Sequence, residues 1–164
     1  MHLFLYLDYN GKVVLAGQWT NDDYKKNMNE RIKLYGISDR IEITGTITQE
    51  ELDILYTKSK VAIRFGYNER GPGMGSLEAI SYGVPLIVNH GVGIKEFLFK
   101  YNYNLVFNEN DIQNIAETVN KLFLNKAYWD SISLKCLNIA KENTWEAHTD
   151  QLFNLIENSL NRRD

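Results

Sequence analysis

Between Asn68 and Glu78 the chain gathers the residue types that hold a charged, hydroxyl-rich ligand: Asn68-Glu69-Arg70-Gly71-Pro72-Gly73-Met74-Gly75-Ser76-Leu77-Glu78. Glycines at 71, 73 and 75 let backbone amides approach a phosphate with no side chain in the way. A helix start behind them adds partial positive charge. The stretch therefore reads as a diphosphate cradle. Glu78, a little inside that helix, can turn its carboxylate back to the mouth and accept from a pair of sugar hydroxyls; the position equally suits an exposed helix glutamate. Arg70 suits a phosphate or carboxylate, which a guanidinium meets with two parallel N–H groups, or a solvated loop. The loop is not a Walker loop, which needs Gly-Lys-Ser or Gly-Lys-Thr. Nor is it a dinucleotide fingerprint, because its glycines are differently spaced and follow a middle strand. Kinase and dehydrogenase chemistry are set aside.

The elements around it must place that loop at a strand end. Residues 13–16 form a short apolar run ending at Gly17, a buried strand stopped by a turn. A helix is predicted from Asn21 or Asp22 to Tyr35, closed by Gly36, then a strand over 41–43 ending at Thr44 and Gly45. Thr48-Gln49-Glu50-Glu51 is a capping box opening a helix to about Ser59. Strands follow over 61–65, 85–88 and 105–107, with helices over 76–82, 94–100, 111–124, 126–140 and 145–160. Short apolar strands alternating with helices mean parallel pairing, since parallel neighbours need crossover connections. Ligands in such sheets collect where the strands' carboxyl ends open into loops, which points to the loop over 66–75. The last helix carries Leu152, Phe153, Leu155 and Ile156, a stripe expected to face the core.

With 164 residues the chain fits one domain and no second full one. It is 44% hydrophobic and 24% charged, as ordinary globular proteins are. The net charge of −3 comes from interleaved acids and bases, so nothing marks a nucleic-acid partner. The apolar opening run is too short to span a bilayer and lacks a signal peptide's flanks. A cytoplasmic location is expected, with peripheral membrane association left open. The single cysteine, Cys136, reads as a small buried apolar residue on a helix. No structural zinc site is expected, since His2 and His148 have no partners at ligand spacing.

Residues 69–88, Glu-Arg-Gly-Pro-Gly-Met-Gly-Ser-Leu-Glu-Ala-Ile-Ser-Tyr-Gly-Val-Pro-Leu-Ile-Val, resemble the signature of the group 1 glycosyltransferases of the GT-B fold. There a Glu-Gly-Phe-Gly loop precedes a Leu-Glu-Ala segment and Gly-x-Pro-Val-Ile. Residues 14–17 look like the strand ending in glycine near the domain's start. Gly45 followed by Glu51-Leu52-Asp53-Ile54-Leu55-Tyr56 looks like the family's glycine turn and Glu-Leu-x-x-Leu-Tyr element, and Thr144-Trp145-Glu146 like the start of its last helix. The likeness covers roughly residues 12 to 160. It implies a Rossmann-like three-layer α/β/α domain with a mostly parallel sheet, the donor-binding half of a GT-B fold.

By that resemblance Glu78 would hold the ribose hydroxyls of a UDP- or GDP-type sugar donor. The amides of Gly73, Met74 and Gly75, with Ser76, would face the diphosphate or sugar, Gly17 would end the first strand at the site, and residues 44–47, Thr44 and Ile47 among them, would line the base pocket. A glutamate at the loop's start would contact the donor sugar. The family separates its two glutamates by seven residues, whereas Glu69 and Glu78 enclose eight. Either Glu69 keeps the catalytic role across a longer loop, or Arg70 occupies the position. The family's Gly-Arg and Lys contacts to the diphosphate flank the first strand; residues 1–11 hold neither Arg nor Lys, and Lys12, Lys25 and Lys26 are the nearest substitutes.

His90, just after the fourth strand, and Glu96, after the turn Gly91-Val92-Gly93, are further candidates at the same mouth; each also suits an ordinary exposed position. The resemblance implies hexosyl transfer with retention and without cofactor or metal, since helix amides and basic side chains can hold a leaving diphosphate. The acceptor, a glycan, lipid or protein, would be bound by another domain or partner chain, and a homo-oligomer remains open. Other readings are a nucleotide-sugar epimerase, a phosphorylase, or a non-catalytic Rossmann-like assembly module.

Overall fold

The computed structural model describes residue 7, residues 11–19 and residues 21–160. Most of the peripheral strand or extension expected over residues 1–11 lies outside the described residues, as do residues 161–164. The elements run β1 (Val13–Ala16), α1 (Asp22–Leu34), a 3-10 turn (Ser38–Arg40), β2 (Ile41–Gly45), α2 (Gln49–Lys58), β3 (Ala62–Arg64), α3 (Met74–Ser81), β4 (Leu86–Asn89), α4 (Ile94–Phe99), β5 (Val106–Phe107), α5 (Ile112–Leu124), α6 (Lys126–Lys141) and α7 (Trp145–Leu160).

Local chemistry sets the helix starts. The Asn21 side chain accepts from the Tyr24 amide at 2.9 Å and opens α1. At α2 the Thr48 hydroxyl accepts from the Glu51 amide at 3.2 Å while the Glu51 carboxylate accepts from the Thr48 amide at 2.7 Å, the reciprocal box read from the sequence. Helix α3 begins at Met74, two residues before the expected start. Gly73, at φ +69°, turns the chain directly into the helix, a conformation side-chain-bearing residues rarely take.

Among the described strands every ladder is parallel, with one isolated antiparallel bridge between Gly17 and Gly45. β1 pairs with β2, slipping register between Leu15 and Ala16, and β4 lies between β3 and β5. Helices connect consecutive strands, giving a Rossmann-like α/β/α arrangement of three layers. The strand–helix alternation suggested one continuous sheet; the described strands instead fall into two hydrogen-bonded groups, because β3, three residues long, pairs only on its β4 edge.

The main core is built around β4, all four of whose residues are buried. Ile115, Val119 and Leu122 of α5 and Ile132, Cys136 and Ile139 of α6 belong to it, as do Ala79 and Ile80 of α3. At the start of β4, Tyr103 satisfies both backbone groups of Leu86. Its hydroxyl accepts from the Leu86 amide at 2.7 Å and donates to the Leu86 carbonyl at 3.0 Å. Burying Ile87 contributes about 1.5–3 kcal/mol, and Ile87→Ala would cost about 2–5 kcal/mol by leaving a cavity.

The C-terminal helix departs from expectation. Leu152, Phe153, Leu155 and Ile156 are 47–68% exposed, and no residue of α7 is buried. The reason is that α6, not α7, covers α3 and α5, so the core is already closed before α7 begins. No described helix is long and apolar enough to cross a membrane.

Candidate functional site

The loop from Phe65 to Gly73 leaves the carboxyl end of β3, and the loop from His90 to Gly93 leaves the carboxyl end of β4 beside it. One buried amide joins them. Asn89, 4% exposed, accepts from the Gly66 N–H at 2.9 Å and donates to the Gly66 carbonyl at 2.9 Å, pairing with the loop as a neighbouring strand would. Its Nδ2 also lies 3.3 Å from the Glu109 carboxylate. The Glu69 amide then donates to the Gly91 carbonyl at 2.9 Å. The approach is so close that a Cβ on Gly91 would stand 2.0 Å from the Gly66 oxygen, so only glycine fits.

Beneath the glycine loop lies Arg64. Its Nη2 donates to the Glu69 carboxylate at 2.9 Å, and its guanidinium packs 3.2 Å from where a Cβ on Gly73 would stand. The Arg64 Nε is buried without a hydrogen-bond partner. The loop is thus wrapped around a guanidinium. Glu69 is half-buried and tied to that cation, whereas Arg70, next to it, is exposed.

At the other end of the loop, no side chain caps α3, so the Met74 and Gly75 amides open a helix with no side-chain acceptor of their own. Ser76 differs from its neighbours. It is fully buried, its amide donates to the Gly73 carbonyl at 3.0 Å, and its hydroxyl has no hydrogen-bond partner. Glu78 sits one turn in. The Tyr56 hydroxyl, arriving from α2, lies 3.3 Å from Glu78 Oε2 and 3.1 Å from the Gly75 carbonyl. Burial, with the Glu78 charge second, pushes the Tyr56 hydroxyl up to about 12, so it stays protonated and donates.

The remaining candidates lie around this centre. Gly17 donates to the Gly45 carbonyl at 3.0 Å, and the Thr44 hydroxyl donates to the same carbonyl at 2.9 Å, so the ends of β1 and β2 form their own cluster; Ile47 is half-buried just after it. His90 is exposed, its carbonyl taken by the Lys95 ammonium, and Glu96 is exposed in the first turn of α4. Cys136 is buried, as read from the sequence. The structure therefore brings Glu69, Gly73, Gly75 and Glu78 together and adds three residues that sequence reasoning did not single out: Tyr56, Arg64 and Asn89. Their signals were thin. Arg64 interrupts an apolar strand, Asn89 ends one, and Tyr56 is the last residue of the Glu-Leu-x-x-Leu-Tyr element.

A sequence profile of the family described as glycosyl transferases, group 1, matches residues 2–159. The chain belongs to this family. Among curated relatives, this group 1 glycosyltransferase chain is 24% identical over 131 residues to the mannosylfructose-phosphate synthase of Agrobacterium fabrum (strain C58 / ATCC 33970), an alignment covering 79% of the chain and 29% of the relative. It is 23% identical over 156 residues to the GDP-Man:Man(3)GlcNAc(2)-PP-Dol alpha-1,2-mannosyltransferase of Dictyostelium discoideum, covering 93% and 30%. The chain thus spans less than a third of the length of these relatives. Its fold matches that of Anabaena HepE, solved in complex with UDP and glucose, with a TM-score of 0.80 at 16% identity over 96% of this chain and 43% of that one.

Proposed function

We propose that this chain binds the donor, a nucleoside diphosphate sugar of the UDP or GDP type, for transfer of a hexosyl group to an acceptor. The observation that carries the reading is the Glu78 carboxylate, held by Tyr56 one turn into an uncapped helix that opens from a glycine loop. Membership of the group 1 family supports it, as does the likeness to a fold solved with UDP and glucose. Glu78 accepts from the ribose hydroxyls, and the amides of Gly73, Met74 and Gly75 meet the diphosphate. Thr44 and Ile47 flank the base, Gly17 closes the first strand behind them, and Arg70, His90 and Glu96 reach the phosphate or sugar. Glu69, its Oε2 tied to Arg64, contacts the donor sugar.

In the transfer, the acceptor oxygen bonds to the anomeric carbon as the bond to the diphosphate breaks. The electron pair leaves on the diphosphate, and the acceptor's proton follows it. Developing negative charge meets helix amides and a guanidinium, which perform the stabilising role without a metal; retention of configuration is what the family resemblance implies. The acceptor, glycan, lipid or protein, is held by a further domain or a partner chain.

The test is calorimetric titration of the chain with UDP, GDP, ADP and their sugar conjugates, repeated on Glu78→Ala. Saturable binding of one nucleotide that the variant loses supports the donor site and names the base. Absence of binding at millimolar ligand, or binding that Glu78→Ala leaves intact, overturns it.

A further inference from the structure

We infer that Tyr56 is a positioning residue for nucleotide recognition: its hydroxyl orients the Glu78 carboxylate toward the ribose, an inference that rests on the donor-site reading above. A glutamate side chain on a helix has three torsions and ordinarily samples many rotamers. Here Oε2 is engaged from α2, 22 residues earlier in the chain, at 3.3 Å, and the same hydroxyl lies 3.1 Å from the Gly75 carbonyl in the first turn of α3. Carboxylate and glycine-loop end are thereby referred to one atom. Oε1 is left for a ligand.

The hydroxyl is itself held. Tyr56 stacks on Tyr82, with ring centroids 5.4 Å apart and planes 23° from parallel. Asp53, on α2 one turn before Tyr56, pushes the Tyr82 hydroxyl up from its ordinary value. Tyr82 follows the last residue of α3. The path from Tyr82 through Tyr56 to Glu78 therefore crosses twice between α2 and α3, where the site depends on their spacing. Packing alone would need only the rings; the hydroxyl of Tyr56 is what addresses Glu78.

Tyr56→Phe keeps the ring stack and deletes that hydroxyl. Using UDP and GDP as probes, we expect the affinity of the nucleotide that binds to fall about ten-fold. With the matching 2′,3′-dideoxynucleoside diphosphate, which offers Glu78 no diol, the two proteins should agree within about two-fold. Equal losses with both probes, or no loss, would overturn the positioning role while the donor site stood. A parent chain that binds neither UDP nor GDP removes the donor site and this role together. A ligand-free measurement guards against a variant that does not fold: in ring-carbon-labelled protein, Tyr56 should titrate above ordinary tyrosines, and Glu78→Gln should bring it down, with Arg64 and Asp53 left in place. A titration that Glu78→Gln leaves unmoved also overturns the inference.

Discussion

The Arg64 guanidinium and the Glu69 carboxylate meet at 2.9 Å beneath the glycine loop, their side chains 40% and 32% exposed. This pair bears directly on the role expected of Glu69. A partly exposed ion pair contributes about 0.2–1 kcal/mol, so its weight lies in geometry: Glu69 is tied to Arg64, and Arg64 packs beneath Gly73.

Glu69→Gln is expected to leave the affinity for UDP or GDP within about two-fold of the parent chain. Arg64→Ala removes the support under Gly73 and should weaken the same nucleotide by more than about five-fold. Titration calorimetry on both variants checks this, and a large loss in Glu69→Gln would show that Glu69 also bears on nucleotide binding.

Asn89→Ala leaves the Gly66 N–H and carbonyl without their partner and should destabilise the fold by about 1–3 kcal/mol. Gly91→Ala forces a methyl into the Gly66 carbonyl and should cost at least as much, since the obstacle is backbone. Urea unfolding of each variant gives the comparison, and a neutral Asn89→Ala would show that the two loops are held by something else.

Glu109 carries the pH dependence of the same corner. Backbone hydrogen bonding first, and the Asn89 amide second, hold its carboxyl below the usual carboxylate range. A carboxyl lowered in the folded state stabilises the fold above its unfolded value, and that contribution is lost as pH falls through the folded one. Melting temperature should therefore drop on acidification through and below the carboxylate range, and Glu109→Gln should flatten part of the drop. An unchanged profile in Glu109→Gln would count against the assignment.

Cys136 should be inert in the native chain. Burial pushes its thiol up to about 11, and its sulfur lies 3.6 Å from both the Val84 carbonyl and the Tyr103 hydroxyl. Thiolate is the reactive form, so modification by a thiol reagent at pH 8 should be slow in buffer and complete in urea. Rapid labelling of folded protein would mean that α6 opens locally.

Much of this protein is legible along the chain. Parallel β/α alternation follows from short apolar runs separated by helical periods, and the capping box at Thr48 and Glu51 forms as read because all its partners lie within four residues. The glycine loop, too, is local: glycines at 71, 73 and 75 and the glutamate at 78 stand out by spacing. What the tertiary structure decided is whatever depends on residues far apart in sequence. Periodicity could not tell that the stripe of α7 stays exposed, because an apolar helix face looks the same whether or not another element has already covered the core. Nor could spacing show that Asn89 pairs with Gly66 across 23 positions, or that Tyr56 reaches Glu78 across 22. Glu69 and Arg64, five residues apart, meet because the chain turns sharply at the end of β3. The sequence by itself determined the residue types of the glycine loop and the strand ends that present them. The packing of α2 against α3, and of one loop on the next, decided which carboxylate is tied to a cation and which is held by a tyrosine hydroxyl.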